Sequence, residues 1–164
     1  MSTIDSTNTP PTSSYPPPVD KLLTIGEPEI VDAPDWPDYL ELGLTAEHIP
    51  ALIRMATDKS FYPANSNKLE AWPPIHAWRA LGQLRAVEAV EPLLTLFDWL
   101  EDSEWVMEEL PEVFSLIGPQ ALPILETYLA DRTHKEWPSV SVATGVKAIG
   151  MNWPDTRSAS VTIL

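Results

Sequence analysis

The chain contains no cysteine. Disulfides, thiolate-bound zinc, iron–sulfur clusters and thiol catalysis are therefore excluded within it. Glycine is scarce, at 6 of 164 residues, and no glycine-rich phosphate loop is present. Nucleotide binding has no motif to rest on. Basic residues number 10 against 24 acidic ones, for a formal net charge of -14. Such a chain repels a phosphate backbone, and it repels anionic membrane surfaces for the same reason. No apolar run approaches the roughly 18 residues that a membrane span needs. The opening Met1-Ser2-Thr3-Ile4-Asp5-Ser6 lacks the basic-then-apolar order of a secretory signal. These absences lead to the expectation of a cytoplasmic protein without metal or cofactor, and with neither nucleic acid nor membrane as partner.

What is present is an apolar fraction of 44%, enough for a core in one domain, and 18 prolines. Residues 1–20 are mostly Ser, Thr and Pro, and Pro16-Pro17-Pro18 closes the stretch. Such a segment buries too little apolar surface to offset chain entropy, so it is expected to be a disordered tail; a polyproline ligand is the alternative. The body, 21–164, reads as all-α, because apolar residues recur at spacings of three and four and strand alternation is absent. Pro73, Pro74, Pro119, Pro138 and Pro154 fall where helices can begin. Thr45, Ser103 and Asn152 are expected N-caps, and Gly118 and Gly150 expected helix ends.

A repeat organises this body. Trp72, Trp105 and Trp137 are separated by 33 and 32 residues. Five, nine and twelve residues beyond them lie Ala77, Leu81 and Leu84; Leu110, Phe114 and Ile117; Val142, Val146 and Ile149. All nine are apolar, and the spacing is one helical face. A second pattern, Pro–apolar–Leu, occurs at Pro50, Pro92 and Pro123, with Met55, Phe97 and Tyr128 three residues further on. Helix pairs are thus expected at about 34–57, 72–99, 104–130 and 138–164, with a weak first helix within 34–43 and a longer connection over 58–71. No pair hides its apolar face alone, so neighbours stack into a short α-solenoid. The apolar ending at Val161, Ile163 and Leu164 reads as a truncated last repeat, or as a surface that meets a partner.

The run from His76 through Ala80-Leu81-Gly82 to Pro92-Leu93-Leu94 resembles the short bacterial HEAT-like repeat of phycobilisome lyases, and Ile117-Gly118-Pro119-Gln120-Ala121-Leu122-Pro123 is similar to its second-repeat form. The resemblance covers about 45–164 and lies nearer to bacterial HEAT-domain proteins of uncharacterised function than to the lyases. It implies a right-handed solenoid with an extended binding surface.

Two groups of side chains are candidate partner-binding residues. Between Arg85 and Arg132 there is no Lys, Arg or His. Within this stretch Glu104, Glu108 and Glu112 recur every four residues, opposite the Leu110–Phe114–Ile117 face. Like charges so spaced cost about 0.2–0.5 kcal/mol per pair. A strip retained at that cost reads as a dock for a basic segment, against the alternative of a solvated face kept soluble by charge. Trp72, His76, Trp78 and Arg79 cluster on one helix, as an interaction hot spot or as packing between repeats. No Ser or Cys nucleophile stands in a motif beside His76, so catalysis is not expected. Asp98, Glu101 and Asp102 lack the spacing of a calcium loop. His48 and His134 read as isolated surface residues. The expected function is a non-enzymatic protein–protein interaction scaffold whose acidic surface docks a basic partner. The alternative is a lyase- or chaperone-like protein that holds a bilin and its acceptor protein.

Overall fold

Proline sets where the helices begin. The structure, a computed structural model, describes residues 15–62, 72–100 and 102–164. It is all-helical, with no strand among the described residues. The α-helices are α1 (Ile49–Ala56), α2 (Pro73–Gln83), α3 (Val90–Leu94), α4 (Glu104–Ile117), α5 (Leu122–Ala130), α6 (Glu136–Asn152) and α7 (Arg157–Ile163). Pro50, Pro92 and Pro123 lie in the first turns of α1, α3 and α5, where backbone N–H groups have no helical partner to lose. Trp72 is the N-cap residue of α2, while Trp105 and Trp137 are the second residues of α4 and α6.

The short helices share one way of starting. A three-residue 3-10 turn runs directly into each of α1, α3, α5 and α7: Ala46–His48, Val87–Ala89, Pro119–Ala121 and Pro154–Thr156. A tight turn followed by a helix therefore recurs four times among the described residues. The long helices pack in series, with α4 against both α2 and α6. The short α1 lies on α2, and α5 and α7 lie on α6. Of the nine apolar positions of the repeat, Leu84 alone is half-buried, and the other eight sit in the core. Each such Leu, Val or Phe contributes about 1.5–3 kcal/mol on burial. At Gly145 the α4–α6 approach is close, since an added Cβ would lie 3.1 Å from the Phe114 ring.

Several elements differ from the sequence expectation. Of the tail expected over 1–20, residues 1–14 lie outside the described residues, whereas Tyr15 and Val19 are in the core. Val19–Thr24 forms a 3-10 helix, and the Tyr15 hydroxyl donates to Asp58 at 2.8 Å. Two large apolar side chains outweigh a disorder-prone average composition. The weak helix expected within 34–43 is two 3-10 turns, Ala33–Asp35 and Tyr39–Leu42, because Pro37 interrupts the pattern and Gly43 ends it at φ 95°. Asn152 is not an N-cap; it ends α6, and its Nδ2 donates to Ser115 Oγ at 2.8 Å. Gly150 is not a helix end either. It lies inside α6 where α7 packs, and a Cβ there would meet Ser160 at 2.8 Å. Ser103 does cap α4, accepting from the Val106 amide at 3.4 Å, and Gly118 ends that helix at φ 89°. Of the connection expected over 58–71, residues 63–71 lie outside the described residues, and Lys59–Phe61 is a 3-10 turn that buries Phe61.

Candidate functional site

The seven expected partner-binding residues separate into an interior group and a surface group. The interior group lies on α2. Arg79 is fully buried and pairs with Glu109 of α4 through both carboxylate oxygens. The Trp78 indole donates to the same carboxylate at 2.8 Å. The guanidinium also donates to the Glu29 carbonyl at 2.9 Å and lies 4.8 Å from the Trp36 ring centroid. Burial works against the Arg79 charge, but the Glu109 carboxylate and, after it, Tyr39 together outweigh it and raise the pKa.

His76 is 1% exposed and uses both ring nitrogens. Nε2 faces the Gly26 carbonyl at 2.7 Å, and Nδ1 faces the Tyr39 hydroxyl at 2.8 Å. A carbonyl only accepts, so Nε2 carries the proton and Nδ1 accepts from Tyr39. Burial lowers the His76 pKa first; the Gly26 bond opposes this, and the neighbouring Arg79 charge adds to it. Burial likewise raises the pKa of the Tyr39 phenol. Trp72, half-buried, meets Trp105 edge-on at 6.3 Å between ring centroids, which ties the starts of α2 and α4 together. His76, Trp78 and Arg79 face inward as a hydrogen-bonded polar cluster, the packing alternative of the two readings, because Glu109 and the segment 26–39 close over them. Three of its members were not singled out in the sequence: Tyr39, Glu109 and that extended segment. Glu109 sits in an acidic run where nothing distinguishes the inward carboxylate, except its position beside the apolar Leu110.

The surface group lies on α4. Glu104 and Glu108 are exposed, whereas Glu112 is half-buried and accepts from the Ala33 amide at 2.8 Å. Burial raises the Glu112 pKa; Asp32 and Glu109 add to the rise, and the Ala33 bond and Arg79 oppose it. The three glutamates therefore do not form one free stripe. Glu104 and Glu108 instead form a ridge between two clefts. The first, about 200 Å³, lies toward Asp32, Trp105 and Glu112. The second, about 370 Å³, lies toward Asp102, Met107, Trp137 and Val140. Trp137 is 72% exposed, and Val140 is exposed beside it.

No family model, curated protein or solved structure matches the chain. Among the described residues no group of three or more His, Asp or Glu side chains is placed to hold a metal ion, and Glu101 lies outside them. No helix among them is long and apolar enough to cross a membrane. The other two histidines are not isolated. His48 Nδ1 accepts from the Thr45 amide at 2.9 Å in a capping box, and His134 stacks on Tyr128 with ring centroids 3.6 Å apart.

Proposed function

We propose that this chain is a non-enzymatic protein–protein interaction scaffold of HEAT-like helix pairs, and that its acidic surface docks a basic partner. The series α2–α4–α6, each helix opening at a tryptophan, supports the repeat reading, as does the recurring 3-10 turn before every short helix. The docking reading is carried by one observation. The Glu104 and Glu108 carboxylates are exposed on a ridge between two clefts, and an exposed indole, Trp137, lines one of them. A Lys or Arg side chain laid there meets carboxylates and the face of a Trp ring, an arrangement worth about 0.5–1 kcal/mol per cation at an exposed site. The net charge of -14 steers such a partner toward the chain.

The test is a titration of labelled oligo-arginine by fluorescence anisotropy. Wild type is compared with Glu104→Gln/Glu108→Gln and with Trp137→Ala. All three positions are exposed, so the variants keep the fold. Each variant should weaken binding several-fold, and the wild-type affinity should fall steeply between about 0.05 M and 0.5 M salt. Binding that ignores both the substitutions and the salt would remove the ridge as the docking site.

A further inference from the structure

His76, Arg79 and Gln83 stand on one face of α2, at spacings of three and four. All three hold a single irregular segment, residues 26–38, with one 3-10 turn at Ala33–Asp35, and they hold it by its backbone. His76 Nε2 reaches the Gly26 carbonyl at 2.7 Å, Arg79 donates to the Glu29 carbonyl at 2.9 Å, and Gln83 Nε2 donates to the Pro37 carbonyl at 2.8 Å. From α4, Glu112 accepts the Ala33 amide at 2.8 Å. Grips of this kind are indifferent to the side chains of the segment they hold.

The side chains of that segment make a different impression. Only Pro28 and Trp36 are buried within it, Trp36 against the Arg79 guanidinium. Its acids, Glu27, Glu29, Asp32, Asp35 and Asp38, are all exposed, and it has no basic residue. Asp32 shares the first cleft with Glu104, Glu108 and Glu112. Apart from Pro28 and Trp36, the strap is therefore held through its backbone, and its charge has the wrong sign for the helix beside it. At its ends, Leu23 and Tyr39 are buried in the core, so the intervening chain can loop out between fixed points.

We infer that segment 26–38 is a displaceable internal ligand, and that the α2–α4 groove takes in its place an extended basic segment with an aromatic anchor at the position of Trp36. The inference rests on the basic partner proposed above and adds where that partner lies and what it must displace. The strap then acts as an autoinhibitory cover, and the apparent affinity of the groove is reduced by the fraction of chains in which it is closed.

The experiment uses the full chain, labelled with 15N, and two probes. One is a peptide of the 25–39 sequence with its five acids replaced by lysine; the other is oligo-arginine, which lacks the aromatic anchor. Binding of the first should speed solvent exchange of the Ala33 amide by about tenfold or more and shift the Trp36 indole resonance. Trp36→Ala, checked for fold by circular dichroism, should bind that peptide several-fold more tightly than wild type, because its own strap competes less. If the peptide binds while the Ala33 amide stays protected, the strap is a permanent part of the fold and the inference fails, although the acidic ridge survives. If oligo-arginine binds and the anchored peptide does not, the inference fails in the same way. If neither binds, the ridge reading fails as well.

Discussion

The Ser141 hydroxyl of α6 repairs a gap that Pro111 opens in α4. Pro111 lies inside the helix and has no N–H, so the Met107 carbonyl, four residues earlier, loses its donor. Ser141 Oγ donates to that carbonyl at 2.8 Å. Removing the hydroxyl leaves a carbonyl unsatisfied at the α4–α6 contact. Ser141→Ala is expected to cost about 1–3 kcal/mol in urea denaturation. In a Pro111→Ala background, where the helix supplies its own N–H, the same change should cost clearly less. Equal costs in both backgrounds would show that the bond does not compensate for the proline.

Arg79 and Glu109 give the second prediction. The pair is shut away from solvent between α2 and α4, with side-chain exposures of 0% and 9%. Removing one partner strands the other as a buried charge. Arg79→Met and Glu109→Leu are each expected to lose about 3–5 kcal/mol of stability. The double variant should cost less than the sum of the singles, by about 2 kcal/mol. Simple additivity would mean that the two groups do not act as a unit.

The body was legible from residues 72 to 164 because each helix there carries its own local signal. Trp105 and Trp137 open α4 and α6, and Pro92 and Pro123 start α3 and α5. The errors came where local signals gave way to contacts distant in sequence. Tyr15 and Val19 pack into the core from a composition that looks disordered. The strap has no periodicity, and its hydrogen bonds run to residues 46 to 79 positions away. Nothing local marks Arg79 and Glu109 as partners; helix packing brings them together, 30 residues apart in the chain. Pro111 lies inside a helix, and Ser141, which bonds the carbonyl it leaves free, is paired with it by no local rule.

His76 makes stability depend on pH. Its folded pKa lies below the ordinary value of 6.5, through burial first and then the Arg79 charge, while the Gly26 bond opposes both. The groups around it are Tyr39 from the 3-10 turn, Arg79 from its own helix, and Glu109 of α4 through Arg79. Below about pH 6.5 the unfolded chain binds a proton that the folded chain refuses. Stability from this group is therefore complete above pH 6.5 and is lost as the pH falls toward the folded value. His76→Gln should flatten that part of the curve in urea midpoints taken between about pH 7 and pH 5. An unchanged slope would show that another group sets it.

Glu112 acts in the opposite sense. Its folded pKa is raised above the ordinary 4.5, so ionising it weakens the fold as the pH rises through that range. Glutamine keeps an oxygen for the Ala33 amide and carries no charge. Glu112→Gln is expected to stabilise the chain at neutral pH, whereas Glu112→Ala should destabilise it by about 1 kcal/mol. Thermal denaturation of the two variants at pH 7 separates the hydrogen bond from the charge.

The most direct test of a basic partner on the acidic ridge is a two-dimensional 15N spectrum recorded during titration with a lysine- and arginine-rich peptide. For a peptide without an aromatic anchor, the account predicts shifts centred on the Trp137 indole and on the amides of Asp102, Glu104 and Glu108, fading as salt is added. Shifts spread over α5 and α7 instead, with the Trp137 indole unmoved, would contradict it.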